Sequence, residues 1–371
     1  MTPRGPLAGV RVLDLATVIA GPGAARYLAD YGADVLKIER PGTGDSTRSM
    51  GVPDPADGTS LYWKLVSRNK RCTTVDLKSA EGRLTILRLV DDAHVLIENF
   101  RPGTLERLGL GPDVLLERNP SLVILRVTGF GQDGRYAGRA GFATIAEAMS
   151  GFAAINGEPA GGPLLPPIAL TDEVTALVGA FATMVALWSG VGQVVDVNLL
   201  ESLFQCMGPL PAAYAATGYL QPRLGSGIPY SVPRGTWACA DGHWVAVSTS
   251  AESVAGRVME LIGFGDRADL QTFNGRIAAR DEIDARMAEF CAARSQAEVL
   301  AAFEEAQAAA APIYDMADIA TDPHYAARGS MVEVDGVRMQ GLVAHLSKTP
   351  GAVRWAGRAI DADSPEWTDT D

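Results

Sequence analysis

Apolar residues in the first 130 positions come in short runs separated by longer stretches of mixed character. The runs G-V-R-V-L-D-L at 9–15, D-V-L-K-I-E at 34–39, R-C-T-T-V-D-L at 71–77, H-V-L-I-E-N-F at 94–100 and L-V-I-L-R-V-T at 122–128 are too short for helices and are bounded by turn residues. Each predicts a strand. Helical patterns fall between them: after an A-G-P-G turn at 20–23, at about 80–90, and after Gly103. Strands alternating with single helices predict a parallel sheet with right-handed crossovers, a Rossmann-like half of an α/β protein.

A different texture follows. In P-P-I-A-L-T-D-E-V-T-A-L-V-G-A-F-A-T-M-V-A-L-W at 166–188, two prolines stop the preceding chain, and Ile-Ala-Leu reads as the end of a strand. Thr171, Asp172 and Glu173 then open an apolar run that predicts a buried helix, short of the roughly 20 residues needed to span a bilayer. Thr171 suits the capping position, and the two acids complement the positive end of the helix dipole. A strand at 193–197 leads into another helix. The Gly-, Pro- and Tyr-rich stretch 209–233 reads as a linker.

Beyond it the pattern is that of a smaller α+β domain. Two strands flank Asp241-Gly242, a hairpin signal, and helical patterns follow at about 253–262, 281–293 and 296–309, the last stopped before Pro312. M-V-E-V-D-G-V-R-M-Q-G-L-V at 331–343 predicts a further hairpin, and the acidic tail after Ile360 reads as loosely held.

Composition narrows the function. A chain of 371 residues with 47% hydrophobic residues can build two cores, and a net charge of −12 argues against a nucleic-acid partner. Four scattered cysteines and four scattered histidines form no metal-ligand spacing, so no metal site is expected. The amino terminus lacks an apolar signal region, which predicts a cytoplasmic protein without a membrane partner.

The Rossmann-like half invites a dinucleotide reading, with Gly21 and Gly23 in the first turn and Glu39 ending the second strand. The fingerprint wants a third glycine where Arg26 stands, so no NAD is expected. The irregular segment 40–70 is long enough to be functional. Arg40, Lys70, Arg71, Lys78, Arg101 and Arg107 together suggest a basic rim at the carboxyl ends of the strands, suited to a phosphorylated ligand.

At this point the chain resembles the family III CoA-transferases, the CaiB and BaiF group, which share a superfamily with the alpha-methylacyl-CoA racemases. The resemblance covers nearly the whole chain. It is carried by G-V-R-V-L-D-L-A at 9–16, A-G-P-G at 20–23, G-A-D-V-L-K-I-E-R-P-G-T-G-D at 32–45, N-K-R at 69–71 and D-L-K at 76–78. Further blocks are D-A-H-V-L-I-E-N-F-R-P-G at 92–103, T-G-F-G-Q-D-G at 128–134, A-M-S-G at 148–151 and G-Q-V-V-D-V at 192–197.

The resemblance implies an interlocked-ring homodimer. Each chain would contribute a large CoA-binding domain from 1–208 completed by 331–371, a linker at 209–233, a small domain at 234–312 and a return linker at 313–330. Family positions near the nucleotide and pantetheine of coenzyme A match Val18, Arg40, Val75, Lys78, Arg107 and Leu108. The family nucleophile matches Asp172, which would pass through a mixed anhydride and an aspartyl-CoA thioester while CoA moves from an acyl-CoA donor to a carboxylic acid.

Two departures stand out, Thr171 where relatives have glycine and Ile19 where one transferase type has glutamine. The second puts a formyl or oxalyl substrate in doubt. Racemases supply a histidine and the same aspartate as two bases; this chain has Phe142 at the matching place, which favours transfer. Glu147 stands where relatives often have glutamine. A racemase and a non-catalytic CoA-binding protein are the alternatives. The apolar loop at 223–233 hints at a non-polar acid.

Overall fold

The computed structural model describes residues 5–368. Its largest feature is a six-stranded sheet of β1 (Arg11–Asp14), β2 (Asp34–Glu39), β3 (Lys70–Thr74), β4 (Val95–Glu98), β5 (Val123–Thr128) and β6 (Gln193–Asn198). Every pairing is parallel and the order is β3-β2-β1-β4-β5-β6, so the order reverses between β1 and β4. Both faces are covered, as an all-parallel sheet requires. Val12, Val35, Val95 and Val123 pack on one side, and their neighbours Leu13, Leu36, Leu96 and Ile124 on the other.

Up to Ser189 the α-helices are, in chain order, α1 (Ala20–Asp30), α2 (Leu61–Val66), α3 (Ala80–Asp91), α4 (Thr104–Arg107), α5 (Pro112–Arg118), α6 (Ala143–Met149), α7 (Phe152–Ile155) and α8 (Leu170–Ser189). The glycines expected to form a turn at 20–23 lie inside the first turn of α1. Gly23 is there because α8 comes close: a Cβ at Gly23 would stand 2.8 Å from that of Ala176. The segment 40–70 is less irregular than its composition suggests. Asp45 caps a helical turn at Ser46–Ser49, and Ser60 caps α2.

Helix α8 corrects four expectations. Ile168 and Ala169 form no strand, and the helix starts at Leu170 with Ala169 at its N-cap, so Thr171 lies inside the first turn and does not cap. It is 20 residues long, and among the described residues it alone has the length and apolar character to cross a membrane. It is also not buried all round. Its inner face is small, with Thr171, Thr175, Ala176, Gly179 and Thr183 buried against the sheet and α1. The large residues Leu177, Phe181, Val185 and Trp188 face outward, Phe181 being 70% and Trp188 93% exposed. Apolar content alone does not tell which face is buried; close helix approach selected the small residues for the inside.

The chain folds as two compact units, Met1–Phe152 with Pro166–Gly208 and Pro323–Asp371, and Ala153–Leu165 with Pro209–Asp322. In the second unit β7 (Arg234–Ala238), β8 (Trp244–Ser248) and β9 (Ala309–Pro312) form an antiparallel sheet. Its core joins Trp237, Val245 and Val247 to Met287 and Phe303 on flanking helices. The helix expected over 296–309 ends at Glu305, and its last residues instead add strand β9. The stretch 209–233 holds a helix, Leu210–Thr217, with no buried residue.

The hairpin β10 (Met331–Val334) and β11 (Val337–Gln340) turns on Asp335 and Gly336, both at positive φ as a type I′ turn demands. The tail after Ile360 is held through Thr368 rather than loose. Asp361 and Asp363 take the backbone N–H groups of Thr74 and Cys72, each at 2.9 Å, and so cover the edge strand β3.

Candidate active site

A cavity of about 710 Å³ opens at the carboxyl ends of β1 to β4, around the point where the strand order reverses. Open parallel sheets bind ligands there, because adjacent loops leave the sheet in opposite directions. Residues following the strands form its wall: Leu15 and Thr17 after β1, Arg40 after β2, Val75 and Lys78 after β3, and Phe100 after β4. Leu108 closes one side. Among the described residues, Arg40 and Lys78 are exposed and make no ion pair within 4 Å, so their charge is available to an anion.

Two of the acids in this wall, Glu39 and Asp45, are already committed. Glu39 takes Nε and Nη2 of Arg48 at 2.8 and 2.7 Å and the Asp45 N–H at 2.8 Å, so its oxygens are occupied where a dinucleotide site would present an acid to ribose. Asp45 is buried beside Lys37, 3.3 Å away, and accepts the Thr47 hydroxyl at 2.8 Å. Burial works against its ionisation, but Lys37 and the Thr47 bonds hold its carboxyl below the usual range.

The structure places the other matched positions around this wall. Val18 does not line the cavity, although its neighbour Thr17 does; its backbone sits at φ 69° and its N–H points to Asp45. A β-branched residue in that region is strained, and the loop is held by side chains. Lys37 donates to the Ala16 carbonyl, and Asn99 bridges the Thr17 N–H and carbonyl at 2.8 and 2.6 Å. Arg107 ends α4, whose Thr104 lines the cavity and accepts its guanidinium at 2.9 Å. Lys70 and Arg71 do not belong to the expected rim. They open β3, at its amino end, and are spent on Asp14 and Asp34.

Asp172 lies in the first turn of α8 and does not line this cavity. Burial, then the charge of Glu147, then that of Glu173, push its carboxyl up to about 6. Glu147 comes from α6, is 4% exposed, and accepts the Thr171 hydroxyl at 2.9 Å. Glu173 turns the other way. It accepts Arg26 and the Tyr27 hydroxyl from α1, each at 3.0 Å. Arg26, the residue that breaks the glycine fingerprint, is thus the cation beside the acidic helix start.

Tyr62 on α2 completes the surroundings. Burial, with Glu173 and Asp172 nearby, pushes its phenol up to about 12. Neither Tyr62 nor Tyr27 stands out in sequence, because nothing in S-L-Y-W or A-R-Y-L marks a residue as facing another helix. Phe142 is the N-cap residue of α6 and 70% exposed. His94 accepts the Arg11 N–H at 3.1 Å, at the amino end of the sheet. The helix start can therefore supply carboxylates and a hydroxyl, with no imidazole at Phe142.

Comparison with known proteins agrees with this geometry. A family model described as CoA-transferase family III matches residues 7–364. The beta subunit of succinyl-CoA–L-malate CoA-transferase from Chloroflexus aurantiacus is 39% identical over 376 residues, covering 97% of this chain and 93% of that protein. The succinyl-CoA:glutarate CoA-transferase of Homo sapiens is 33% identical, covering 95% and 80%. The crystal structure of a CaiB/BaiF family protein from Brucella suis matches with a TM-score of 0.85 at 30% identity, covering 96% and 97%. A parallel sheet with a cavity that carries Arg40 and Lys78 at its switch point and a match over nearly the full length lead to one conclusion: the chain belongs to CoA-transferase family III.

Proposed function

We propose that this enzyme moves CoA from an acyl-CoA donor to a carboxylic acid with Asp172 as the nucleophile. The carrying observation is a carboxylate in the first turn of α8 that burial and neighbouring acids make more basic than an ordinary aspartate. It attacks the thioester carbonyl and expels CoA thiolate, giving a mixed anhydride. The thiolate attacks the aspartyl carbonyl of that anhydride, releasing the donor acid and leaving an aspartyl-CoA thioester. The acceptor acid reverses both steps and restores the free carboxylate.

The relatives guide the choice of substrates. Their names specify succinyl-CoA with L-malate or D-citramalate, and succinate with glutarate, all dicarboxylic acids. Succinyl-CoA with a short dicarboxylic acceptor is therefore the substrate class proposed, in place of the non-polar acid suggested by 223–233. Formation of a second acyl-CoA from succinyl-CoA and a panel of acids, followed by mass, tests it. Exchange of solvent deuterium into the alpha carbon without CoA transfer overturns it in favour of the racemase.

Coenzyme A is proposed to lie with its phosphates toward Arg40, Lys78 and Arg107 and its pantetheine past Val18, Val75 and Leu108. A lost charge-assisted hydrogen bond costs about 1.5–3 kcal/mol. Arg40→Ala and Lys78→Ala are thus each expected to raise KM for the acyl-CoA about tenfold while kcat stays within about twofold. An unchanged KM in both, at low salt, removes the cavity from the reading.

A second copy of the chain is proposed to cover the outer face of α8. Leu177, Phe181, Val185 and Trp188 recur at four- and three-residue intervals as one apolar stripe, and such surfaces mark protein contacts. The expected species in light scattering is a dimer, and Phe181→Glu with Trp188→Glu is expected to abolish it. A monomeric wild-type enzyme contradicts the proposal.

A further inference from the structure

The acid on α6 is unexplained by the transfer steps. Glu147 is almost wholly buried, and the Thr171 hydroxyl fixes it beside the residue that precedes Asp172. Charged side chains are seldom buried without a paired cation, because desolvation costs several kcal/mol. Among the described residues no lysine or arginine lies within 4 Å of this one. Glu173 is different, being bound by Arg26 and Tyr27. The position of Thr171 matters too: a glycine there would leave Glu147 without this donor.

We propose that Glu147 is a positioning residue that acts on Asp172 by like charge, disfavouring the free aspartate and so driving it into its uncharged acyl and thioester forms. The inference rests on Asp172 being the nucleophile. In the free enzyme the Asp172 carboxylate stands one residue along α8 from Thr171, whose hydroxyl holds buried Glu147, and it feels the charge of that acid. Once Asp172 is esterified its charge is gone, and the repulsion with it. Each covalent intermediate is stabilised relative to the resting enzyme by the whole of that repulsion, and the attacking oxygen is the more nucleophilic for it. Burial first, and then the charge of Glu147, push the Asp172 carboxyl up to about 6, in agreement with this arrangement.

The groups facing Asp172 limit how the effect can be produced. Glu147 stands on α6 and Glu173 on α8 itself; Arg26 and Tyr27 reach Glu173 from α1, and Tyr62 comes from α2. Arg26 offsets Glu173, so Glu147 is the acid whose charge is not answered by a cation. Thr171 keeps its carboxylate in place by donating to it, and Thr171 is itself braced, its carbonyl accepting the Thr175 hydroxyl at 2.7 Å.

The experiment compares Glu147→Gln, Glu147→Ala and Glu147→Asp with the wild type, using succinyl-CoA. The acid limb of kcat/KM and the fraction of Asp172 carrying an adduct by mass spectrometry are the readouts. Both neutral variants are expected to move the limb to lower pH by about one unit and to cut the trapped adduct about tenfold, as like-charge coupling of that size implies. Glu147→Asp keeps the charge and is expected to hold the limb close to the wild-type position. Two neutral variants are used so that one that does not fold leaves the other. A limb that stays in place in a folded neutral variant overturns the inference, whatever happens to the rate. Absence of any adduct on wild-type Asp172 instead defeats the nucleophile reading, a separate and recognisable outcome.

Discussion

Asp172→Asn is expected to lower CoA transfer by about a thousandfold or more, the scale on which enzymes lose rate when a covalent nucleophile is removed. The amide is nearly isosteric and keeps the helix start intact, so circular dichroism and the affinity for CoA should not change. What it lacks is a basic oxygen that can displace a thiolate. The pH dependence follows from the same group. Only ionised Asp172 attacks, and its carboxyl is pushed up to about 6, so the wild-type rate falls as pH is lowered through about 6. An ordinary exposed aspartate would hold its activity about two units further into acid.

The measurement is a mass spectrum of the enzyme after brief incubation with succinyl-CoA, with hydroxylamine to cleave the activated ester. Wild type should carry mass on the peptide containing Asp172, and Asp172→Asn none. Undiminished transfer by Asp172→Asn sinks the proposed mechanism. A protein that binds CoA equally well in both forms and transfers nothing is a binding protein.

Much of the sheet was legible because parallel strands buried on both faces read as short apolar runs, and β1 to β5 each coincide with one, while the edge strand β6, with alternate residues exposed, coincides with Q-V-V-D-V. What was not legible lay where tertiary packing overrides local pattern. The inner face of α8 is made of its smaller residues because Gly23 and Ala24 of α1 lie against it, a fact no window along the chain contains. Asp172 was legible only through its resemblance to a family, since first-turn acids are common. Its surroundings were not. Arg26 looked like a defect in a glycine motif and proves to be the partner of Glu173, and Tyr62 comes from a segment read as irregular. Lys70 and Arg71 show the opposite error, cations that read as ligand-binding and are consumed by buried Asp14 and half-buried Asp34.

Asp14→Ala is expected to destabilise the large unit by about 3–5 kcal/mol, the usual cost of removing one partner from a buried ion pair. Asp14 is fully buried and accepts Lys70 at 2.8 Å, with Lys37 3.9 Å away. The two lysines differ in what holds their charge. Burial disfavours the proton on both, yet Asp14, Asp45 and Glu39 together keep Lys37 above its ordinary value. Lys70 has chiefly Asp14, with a smaller contribution from Cys72, against burial and the repulsion of Lys37, and lies below it. Without Asp14, Lys70 is left with a depressed affinity for its proton in the folded state.

The sign of the pH effect follows from that. A lysine whose folded pKa lies below its unfolded value, about 10.4, destabilises the fold in full at pH below the folded pKa, because the unfolded chain holds the proton more tightly. That penalty fades as pH rises through the folded pKa toward the unfolded one. The deficit of Asp14→Ala should therefore be largest near neutrality and shrink as pH rises toward about 10. Urea unfolding of wild type and variant at both pH values measures it, and a deficit that is constant or grows with pH contradicts this account. Activity should fail with stability, since Lys37 also anchors the Ala16 carbonyl and neighbours Asp45, which takes the Val18 N–H. The loop after β1 is thereby tied to the loop after β2 on two sides of the cavity, and loosening the aspartate beneath them loosens both.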